Sequence, residues 1–252
     1  MKTKPERLYK LITVLLFLVA WELTAMYGPF SELLFPGLGT IGKRFVALVL
    51  EASLLTKTLY SIGIIWLAML VSLLLTIFLL ILTRALPPVS AAVEVLRAVA
   101  APIPGVAILP LVILWFGLSR TSMLVIMVHA TLWPLWTQLS LAVEKLIRRF
   151  SRFERAYKLS LWTRFWHVYC LGAAEDLKSS LGVAWSRGWR ALISVEMIFG
   201  ITGSQSGLGW LIYERRMYMD TPGLYSGLAA IALCGILFES WIFRPEKAGE
   251  AS

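Results

Sequence analysis

The sequence predicts an all-α membrane protein with six transmembrane helices, and three observations support this fold class. Of the 252 residues, 58% are hydrophobic and 15% are charged, whereas soluble domains usually carry about 25% charged residues. The mean hydropathy is +0.75, and 11 residues are tryptophan. Several apolar runs also reach the roughly 20 residues that a helix needs to cross a bilayer, where unpaired backbone groups find no solvent partner.

Six apolar runs are the predicted spans. They cover residues 11–30, 58–83, 98–119, 121–143, 179–199 and 221–238. The second run contains no charged residue, the third contains three prolines and the fifth contains three charged residues. We expect the first run to be retained rather than cleaved as a signal peptide, because Trp21-Glu22 stands where a small-x-small cleavage pattern would be expected.

The predicted organisation is a single transmembrane domain over residues 1–252. Its parts are an N-terminal span (1–34), an outer interfacial helix (35–57), spans two to four (58–143), a cytoplasmic segment (144–174) and spans five and six with an outer loop (175–243). Sixteen of the 24 Lys and Arg fall in 1–10, 84–97, 144–178 and 244–252. By the positive-inside rule these segments and both termini are cytoplasmic. The net charge of +9 is therefore interpreted as a topology signal, and we expect no nucleic-acid partner.

A glycine-rich stretch, Pro36 to Arg44, resembles a nucleotide site in its spacing. A phosphate-binding loop needs a preceding strand and a final Ser or Thr. This stretch follows a membrane span and ends in Arg44, so we interpret the glycines as the start of a helix. Cys170 and Cys234 match no metal spacing. We expect no catalytic residue, no metal and no cofactor bound by this chain.

Seven basic residues between Lys145 and Arg164 are interleaved with aromatic residues. One interpretation is a loop that lies on anionic lipid head groups. The other is a short amphipathic helix pair that offers an apolar face to a partner protein, because the aromatic residues recur at helical spacing.

Motifs in the third and fifth runs resemble those of a known family. Pro102, Pro104, Leu109-Pro110 and Trp115-Phe116-Gly117 follow one another within Leu96 to Trp136, and ALISVEMIFG (191–200) and SGLGWLIY (206–213) come later. This set resembles the membrane subunits of binding-protein-dependent ABC importers of the nitrate, sulfonate and taurine group. The resemblance implies the type I importer permease fold with cytoplasmic coupling helices. It also implies import of a small anionic or polar solute across the plasma membrane of a prokaryote.

The resemblance also implies partners. These are cytoplasmic ABC ATPase subunits that bind ATP, a second permease subunit in a homo- or heterodimer, an extracytoplasmic solute-binding protein and the lipid membrane. The chain itself is expected to have no ATPase site and not to be an enzyme. A membrane-embedded enzyme is disfavoured because no His-x-x-x-His or Asp-x-x-Asp spacing occurs.

The family's Glu-Ala-Ala coupling motif is altered in this sequence. Alignment on Arg155, Ser160 and Trp162 places Lys158 at the motif's glycine and Cys170-Leu171 at its Leu-Pro. The residues predicted to couple to the ATPase are Glu154, Arg155, Ala156, Lys158, Trp162, Arg164 and Phe165. The altered motif leaves an alternative open, in which a divergent, non-coupling permease acts as a membrane scaffold or heterodimer partner.

The residues predicted to line the translocation pathway are Pro102, Pro104, Trp115, Phe116, Arg190 and Glu196. Charges at the centre of a span cost about 2.5–3.5 kcal/mol each, so Arg187, Arg190 and Glu196 must face protein or water. Arg190 and Glu196 lie about 120° apart on a helix and are poorly placed to pair with each other. A structural ion pair with another span is the alternative for these charges. The prolines could simply kink a packed helix, whereas the resemblance favours a broken backbone beside a gate. His129 is interpreted as a packed core residue.

Overall fold

The computed structural model describes residues 4–156, 172, 174–200 and 205–241. Within these ranges the chain forms nine α-helices and one 3₁₀-helix, so the predicted all-α class is confirmed. The α-helices are α1 (Lys4–Tyr27), α2 (Leu38–Leu50), α3 (Ser53–Ala85), α4 (Pro87–Ala100), α5 (Leu109–Phe116), α6 (Arg120–Ala156), α7 (Ala174–Phe199), α8 (Leu208–Met217) and α9 (Thr221–Trp241). The 3₁₀-helix, Gly105–Ile108, lies between α4 and α5.

Four of the described helices are long and apolar enough to cross a membrane. The qualifying segments are Leu8–Tyr27, Ser53–Ala85, Arg120–Phe150 and Thr221–Ser240, and the bent pair Pro87–Ala100 and Gly105–Phe116 is a fifth if it counts as one span. α7 has 26 residues and so measures about 39 Å, but it carries six charged residues. The chain is therefore a polytopic membrane protein, and the count of six spans stays a prediction.

The third predicted span, residues 98–119, is broken rather than one continuous helix, as the resemblance favoured. α4 ends at Ala100, and the chain then turns by 91° before the helical segment Gly105–Phe116. Pro102 and Pro104 explain the break, because each lacks a backbone N–H and each disfavours helical geometry at the residue before it. The outcome is a re-entrant or broken segment at this position.

The predicted outer interfacial segment contains a helix, and its start explains the glycine-rich stretch. Gly37 precedes α2, and the backbone N–H of Leu38 donates to Oε2 of Glu22 on α1 at 2.7 Å. A carboxylate of this same chain therefore takes the place that a phosphate would occupy at a nucleotide-binding helix. Trp21 stacks on Phe35 and donates from Nε1 to the carbonyl oxygen of Pro36, which holds α1 against the loop.

The core of the described chain lies where α3, α6 and α7 pack together, with α8 and α9 against α7. Its fully buried side chains include Ile65, Met69, Met127, Trp185, Leu192 and Leu211. Gly188 allows close contact between two of these helices, because a Cβ added there would lie 2.7 Å from Cγ2 of Thr131 on α6. The same packing fixes the orientation of α7, which carries the charged residues considered next.

Aromatic rings fill the contact between α7 and α9. Trp185 stacks on Trp189 with ring centroids 5.5 Å apart and on Phe238 with centroids 4.5 Å apart. Nε1 of Trp189 also donates to the carbonyl oxygen of Ile231 at 3.2 Å. These contacts hold α9 in one position relative to α7.

Candidate functional site

The three charged residues in the second half of α7 lie on two different faces of this helix. Arg187 and Arg190 are three residues apart and share one face, and both side chains are exposed. Glu196 is nine residues after Arg187, which places it about 180° away around the helix. Its side chain is buried, with 1% of its surface exposed. One face of α7 is therefore exposed and positively charged, and the other carries a buried carboxyl group.

Glu196 is enclosed by polar partners from α3 and α8. The hydroxyl of Ser61 on α3 lies 2.7 and 2.9 Å from the two carboxylate oxygens. The backbone N–H of Gly209 donates to Oε2 at 2.9 Å. The N–H of Leu208 donates in turn to Oγ of Ser61 at 2.9 Å. The carboxylate therefore sits at the N-terminus of α8, where free N–H groups and the helix dipole favour a negative charge.

Two glycines make room for this arrangement. A Cβ added at Gly207 would overlap the Glu196 carboxylate, and a Cβ added at Gly209 would lie 2.7 Å from Cβ of Glu196. The SGLG sequence at the start of α8 is thus explained by a close approach between helices. An α8 with larger residues at these two positions could not reach the carboxylate.

Ion pairs tie the predicted outer ends of the helices together. Nζ of Lys57 lies 2.7 Å from Oγ of Ser206 and 3.5 Å from the carboxylate of Glu214. Nε and Nη2 of Arg44 on α2 donate to Oδ2 of Asp220, at 3.0 and 2.8 Å, in the turn before α9. Burial alone would raise the pKa of Asp220, but the hydrogen bonds from Arg44 and from a backbone N–H outweigh it and hold this pKa below its ordinary value.

The arginine face of α7 opens onto a cavity beside the broken segment. The cavity has a volume of about 310 Å³. Its walls come from residues 101–106, from α6 and from the arginine face of α7. Pro104, His129, Trp133, Arg187, Arg190 and Ser194 are among the residues that line it. The cavity thus combines an apolar wall with two guanidinium groups.

A second cavity, of about 340 Å³, lies along the same arginines. It is lined by α7 residues and by Glu239 of α9. No carboxylate within the described ranges comes within 4.0 Å of either guanidinium, so Arg187 and Arg190 have no ion-pair partner there. Glu239 is the acidic residue that shares a cavity wall with them.

The predicted pathway residues are only partly brought together. Pro104 and Arg190 line the same cavity. Pro102 is exposed, and Trp115 and Phe116 are exposed at the end of α5 and do not line this cavity. Glu196 lies on the opposite face of α7, within the protein. The assignment of these six residues to a pathway stays a prediction.

The predicted ATPase-coupling residues fall at the edge of the described chain. The backbone of Glu154, Arg155 and Ala156 forms the last residues of α6, which extends well beyond the predicted end of span four at residue 143. Lys158, Trp162, Arg164 and Phe165 lie outside the described residues. The coupling role of these seven residues therefore stays a prediction.

His129, which we interpreted from the sequence as a packed core residue, lines the arginine cavity. Its Nδ1 atom is buried, has no hydrogen-bond partner among the described residues, and belongs to a residue that lines the arginine cavity. The sequence shows no carboxylate or second histidine one turn away, and this absence argued for a core role. Trp133 lines the same cavity and is four residues after His129, and residues at this spacing share one face of a helix. This spacing was the signal in the sequence that the two side chains lie on the same side of α6.

Comparisons with known proteins place this geometry in context. Residues 87–243 match the profile of a family described as the inner membrane component of binding-protein-dependent transport systems. The matched range contains the broken segment, the arginine cavity, Glu196 and α8.

Several characterised proteins are similar to the chain. The taurine transport system permease protein TauC of Escherichia coli is 26% identical over 138 residues, which are 55% of this chain and 49% of TauC. SsuC of Escherichia coli, a permease protein named for aliphatic sulfonates transport, is 29% identical over 135 residues, 54% of this chain and 50% of SsuC. The matches thus span about half the length of these relatives. ThiX of Halalkalibacterium halodurans, a formylaminopyrimidine transport permease protein, is 26% identical over 242 residues, 94% of this chain and 92% of ThiX.

Proposed function

The chain belongs to the family of inner membrane components of binding-protein-dependent transport systems, and from this premise we propose that it forms half of the translocation pathway of an ABC importer. The family match over residues 87–243 is the observation that carries the proposal. The proposed solute is small and anionic or polar, of the nitrate, sulfonate or taurine type. Two guanidinium groups on a cavity wall support an anionic solute, and the names of TauC and SsuC support sulfonates. ThiX is named for transport of formylaminopyrimidine, which is not a sulfonate, and this name supports a polar solute as the other possibility.

The proposed mechanism is alternating access driven by separate ATPase subunits. A shift between outward and inward states from 1:99 to 99:1 requires about 5.5 kcal/mol of differential binding. We assign this energy to ATP binding and hydrolysis in cytoplasmic ATPase subunits that contact residues 145–171. An extracytoplasmic binding protein delivers the solute to the outer side. A second permease subunit, identical or related, completes the pathway, with both termini of this chain in the cytoplasm of a prokaryote.

The coupling proposal is tested by copurification. The chain is coexpressed with the ATPase and the solute-binding protein encoded beside it, and ATP turnover is measured in nanodiscs with and without solute. Trp162→Ala and Phe165→Ala are each expected to weaken ATPase association by about 1–3 kcal/mol, the usual cost of losing an interface anchor. Tyr218→Ala is the control, because Tyr218 is exposed on the predicted outer side. Equal ATPase retention in all three variants contradicts the proposed contact.

Orientation is tested by cysteine labelling in a background without Cys170 and Cys234. A cysteine at position 155 is expected to react only from the cytoplasm, and one at position 216, which is exposed at the end of α8, only from outside. Reversed labelling would overturn the topology.

A second candidate function follows from the altered coupling motif. Lys158 stands at the position of the family's glycine, where a turn of positive φ is disfavoured for a residue with a side chain. A scaffold or non-coupling heterodimer partner would retain the permease dimer but show no solute-stimulated ATP turnover. The nanodisc measurement distinguishes the two functions directly.

A further inference from the structure

The two arginines of α7 are available to a ligand. Arg190 donates from Nε to the carbonyl oxygen of Ser186 at 3.0 Å and from Nη2 to the Ser186 hydroxyl at 3.5 Å, which leaves most of its five N–H groups unused. Arg187 makes no hydrogen bond or ion pair within the described ranges. A guanidinium group carries five N–H donors in a planar fork that matches the oxygens of a carboxylate, sulfonate or phosphate. Both arginines therefore have unused donors that suit an oxyanion.

The position of the arginines along α7 argues for a solute rather than for a lipid head group. α7 contains the predicted fifth span, residues 179–199, in which Arg187 is 8 residues from one end and 12 from the other, about 12 and 18 Å. Head groups lie near the ends of a membrane helix, and an arginine at its centre is costly unless it meets water, protein or a counter-ion. A counter-ion that reaches this depth must travel through the protein.

The rest of the cavity fits a small organic anion. His129 also lines the cavity, but its Nδ1 atom is buried, so the two arginines supply the charged donors. Ile103, Val106 and Trp133 give the opposite wall an apolar surface. The volume of about 310 Å³ is at the lower end of small-molecule sites, which usually measure roughly 300–1,000 Å³.

We propose that this cavity is an intramembrane binding site for a small organic oxyanion, with Arg187 and Arg190 as the binding residues. The proposal rests on the import function proposed above and deepens it. Glu239 shares the adjacent cavity with both arginines and lowers the positive potential of the site. Its removal should therefore strengthen anion binding, which a merely structural role of the arginines does not predict.

Binding is measured on the full-length chain in phosphatidylcholine nanodiscs without the ATPase. The probes are methanesulfonate and dimethyl sulfone, which have similar shapes but differ in charge. Methanesulfonate is expected to raise the melting temperature in a concentration-dependent manner, as a ligand of the folded state must, whereas dimethyl sulfone is not. Arg187→Gln and Arg190→Gln should each lower the affinity at least tenfold, and Glu239→Gln should raise it about two- to tenfold. Arg216→Gln is the matched control, since Arg216 is exposed outside the cavity.

The proposal is overturned if the sulfone binds as well as the sulfonate, or if the two α7 variants bind methanesulfonate as the control does. It is also overturned if phosphatidylglycerol stabilises the protein through both arginines while methanesulfonate does not, because the site then takes a lipid. If Arg187→Gln and Arg190→Gln fail to fold, the affinity of Glu239→Gln for methanesulfonate decides between the outcomes. An affinity equal to or weaker than that of the parent protein rejects the site. Anion binding without ATPase coupling contradicts only the import function. Coupled import that is unchanged in both arginine variants contradicts only the site.

Discussion

The two faces of α7 use charge in opposite ways. On one face, Glu196 is buried, and each of its carboxylate oxygens has a hydrogen-bond donor from another helix or from the start of α8. On the other face, Arg187 and Arg190 are exposed to a cavity and have no ion-pair partner within the described residues. A buried carboxylate that is hydrogen-bonded to two other helices holds those helices together. Charges beside a cavity that have no ion-pair partner are instead available to bind a ligand. One helix thus combines a structural face and a candidate binding face.

Removal of the Glu196 carboxylate should give the largest loss of stability. Glu196→Ala leaves the Ser61 hydroxyl and the Gly209 N–H buried without their partner and creates a void. We expect destabilisation by about 3–5 kcal/mol, because unsatisfied buried donors and a cavity both add to the cost. The measurement is thermal unfolding of the detergent-solubilised protein.

Glu239→Ala is the control for this measurement, since Glu239 is exposed. Its effect should stay within about 0.5 kcal/mol. If Glu196→Ala does not accumulate, Ser61→Ala is measured instead, with an expected loss of about 1–3 kcal/mol. Loss of less than 0.5 kcal/mol in Ser61→Ala would show that the carboxylate face is not structural.

The glycines at the start of α8 should tolerate no side chain. Gly207→Ala places a Cβ against the Glu196 carboxylate, and we expect destabilisation by about 1–3 kcal/mol from overpacking. Gly39→Ala in α2 is the matched control, because no atom lies within 4 Å of its added Cβ. That control should stabilise the protein by about 0.5–1 kcal/mol, since alanine favours a helix. Equal effects of the two substitutions would contradict the close approach.

Asp220 is a carboxylate that is paired with arginines, whereas Glu196 is hydrogen-bonded by neutral groups. Its pKa in the folded protein is lowered from the ordinary value of 3.8. Its stabilising contribution is therefore complete above this value and is lost as the pH falls through the lower folded pKa. Thermal unfolding of Asp220→Asn should depend less on pH below about 4 than unfolding of the parent protein. The same acid dependence in both proteins would show that the contacts with Arg44 do not stabilise the charged form.

The smallest effect on stability is expected on the arginine face. Arg187→Gln and Arg190→Gln should each change the free energy of unfolding by less than about 0.5 kcal/mol, because exposed substitutions without lost partners rarely cost more. Thermal unfolding without added anion is the measurement. A loss above about 2 kcal/mol in either variant would make this face structural as well, and the contrast with Glu196 would disappear.

The all-α fold could be predicted from the sequence because a long uncharged run in a membrane must satisfy its backbone hydrogen bonds internally, which a helix does. The run 58–83 appears within α3, whose last residues continue to Ala85 and stop before Pro87. The prolines of residues 98–119 indicated a break in the backbone, but hydropathy could not give its angle of 91° or the start of the bent pair at Pro87.

The two charged faces could be predicted only in part. Helical geometry showed that Arg190 and Glu196 cannot neutralise each other. It could not identify Ser61, 135 residues away in the sequence, as the partner of Glu196. His129 shows the same limit, because its place beside the arginines depends on how α6 packs against α7.

The two stacked indoles of α7, which face α9, give the protein an optical property of its own. The planes of the Trp185 and Trp189 rings are inclined by 10°, and two indoles this close exchange excitation energy and share their electronic transitions. Their coupling should contribute a band to the near-ultraviolet circular dichroism of the protein, and Trp189→Phe should remove that band. Trp185 also stacks on Phe238 of α9, and Nε1 of Trp189 donates to the carbonyl oxygen of Ile231 on α9, so a movement that separates α9 from α7 changes the surroundings of both indoles. The protein thus carries an intrinsic spectroscopic reporter of this helix contact, which can be read during solute or ATP addition without an attached dye.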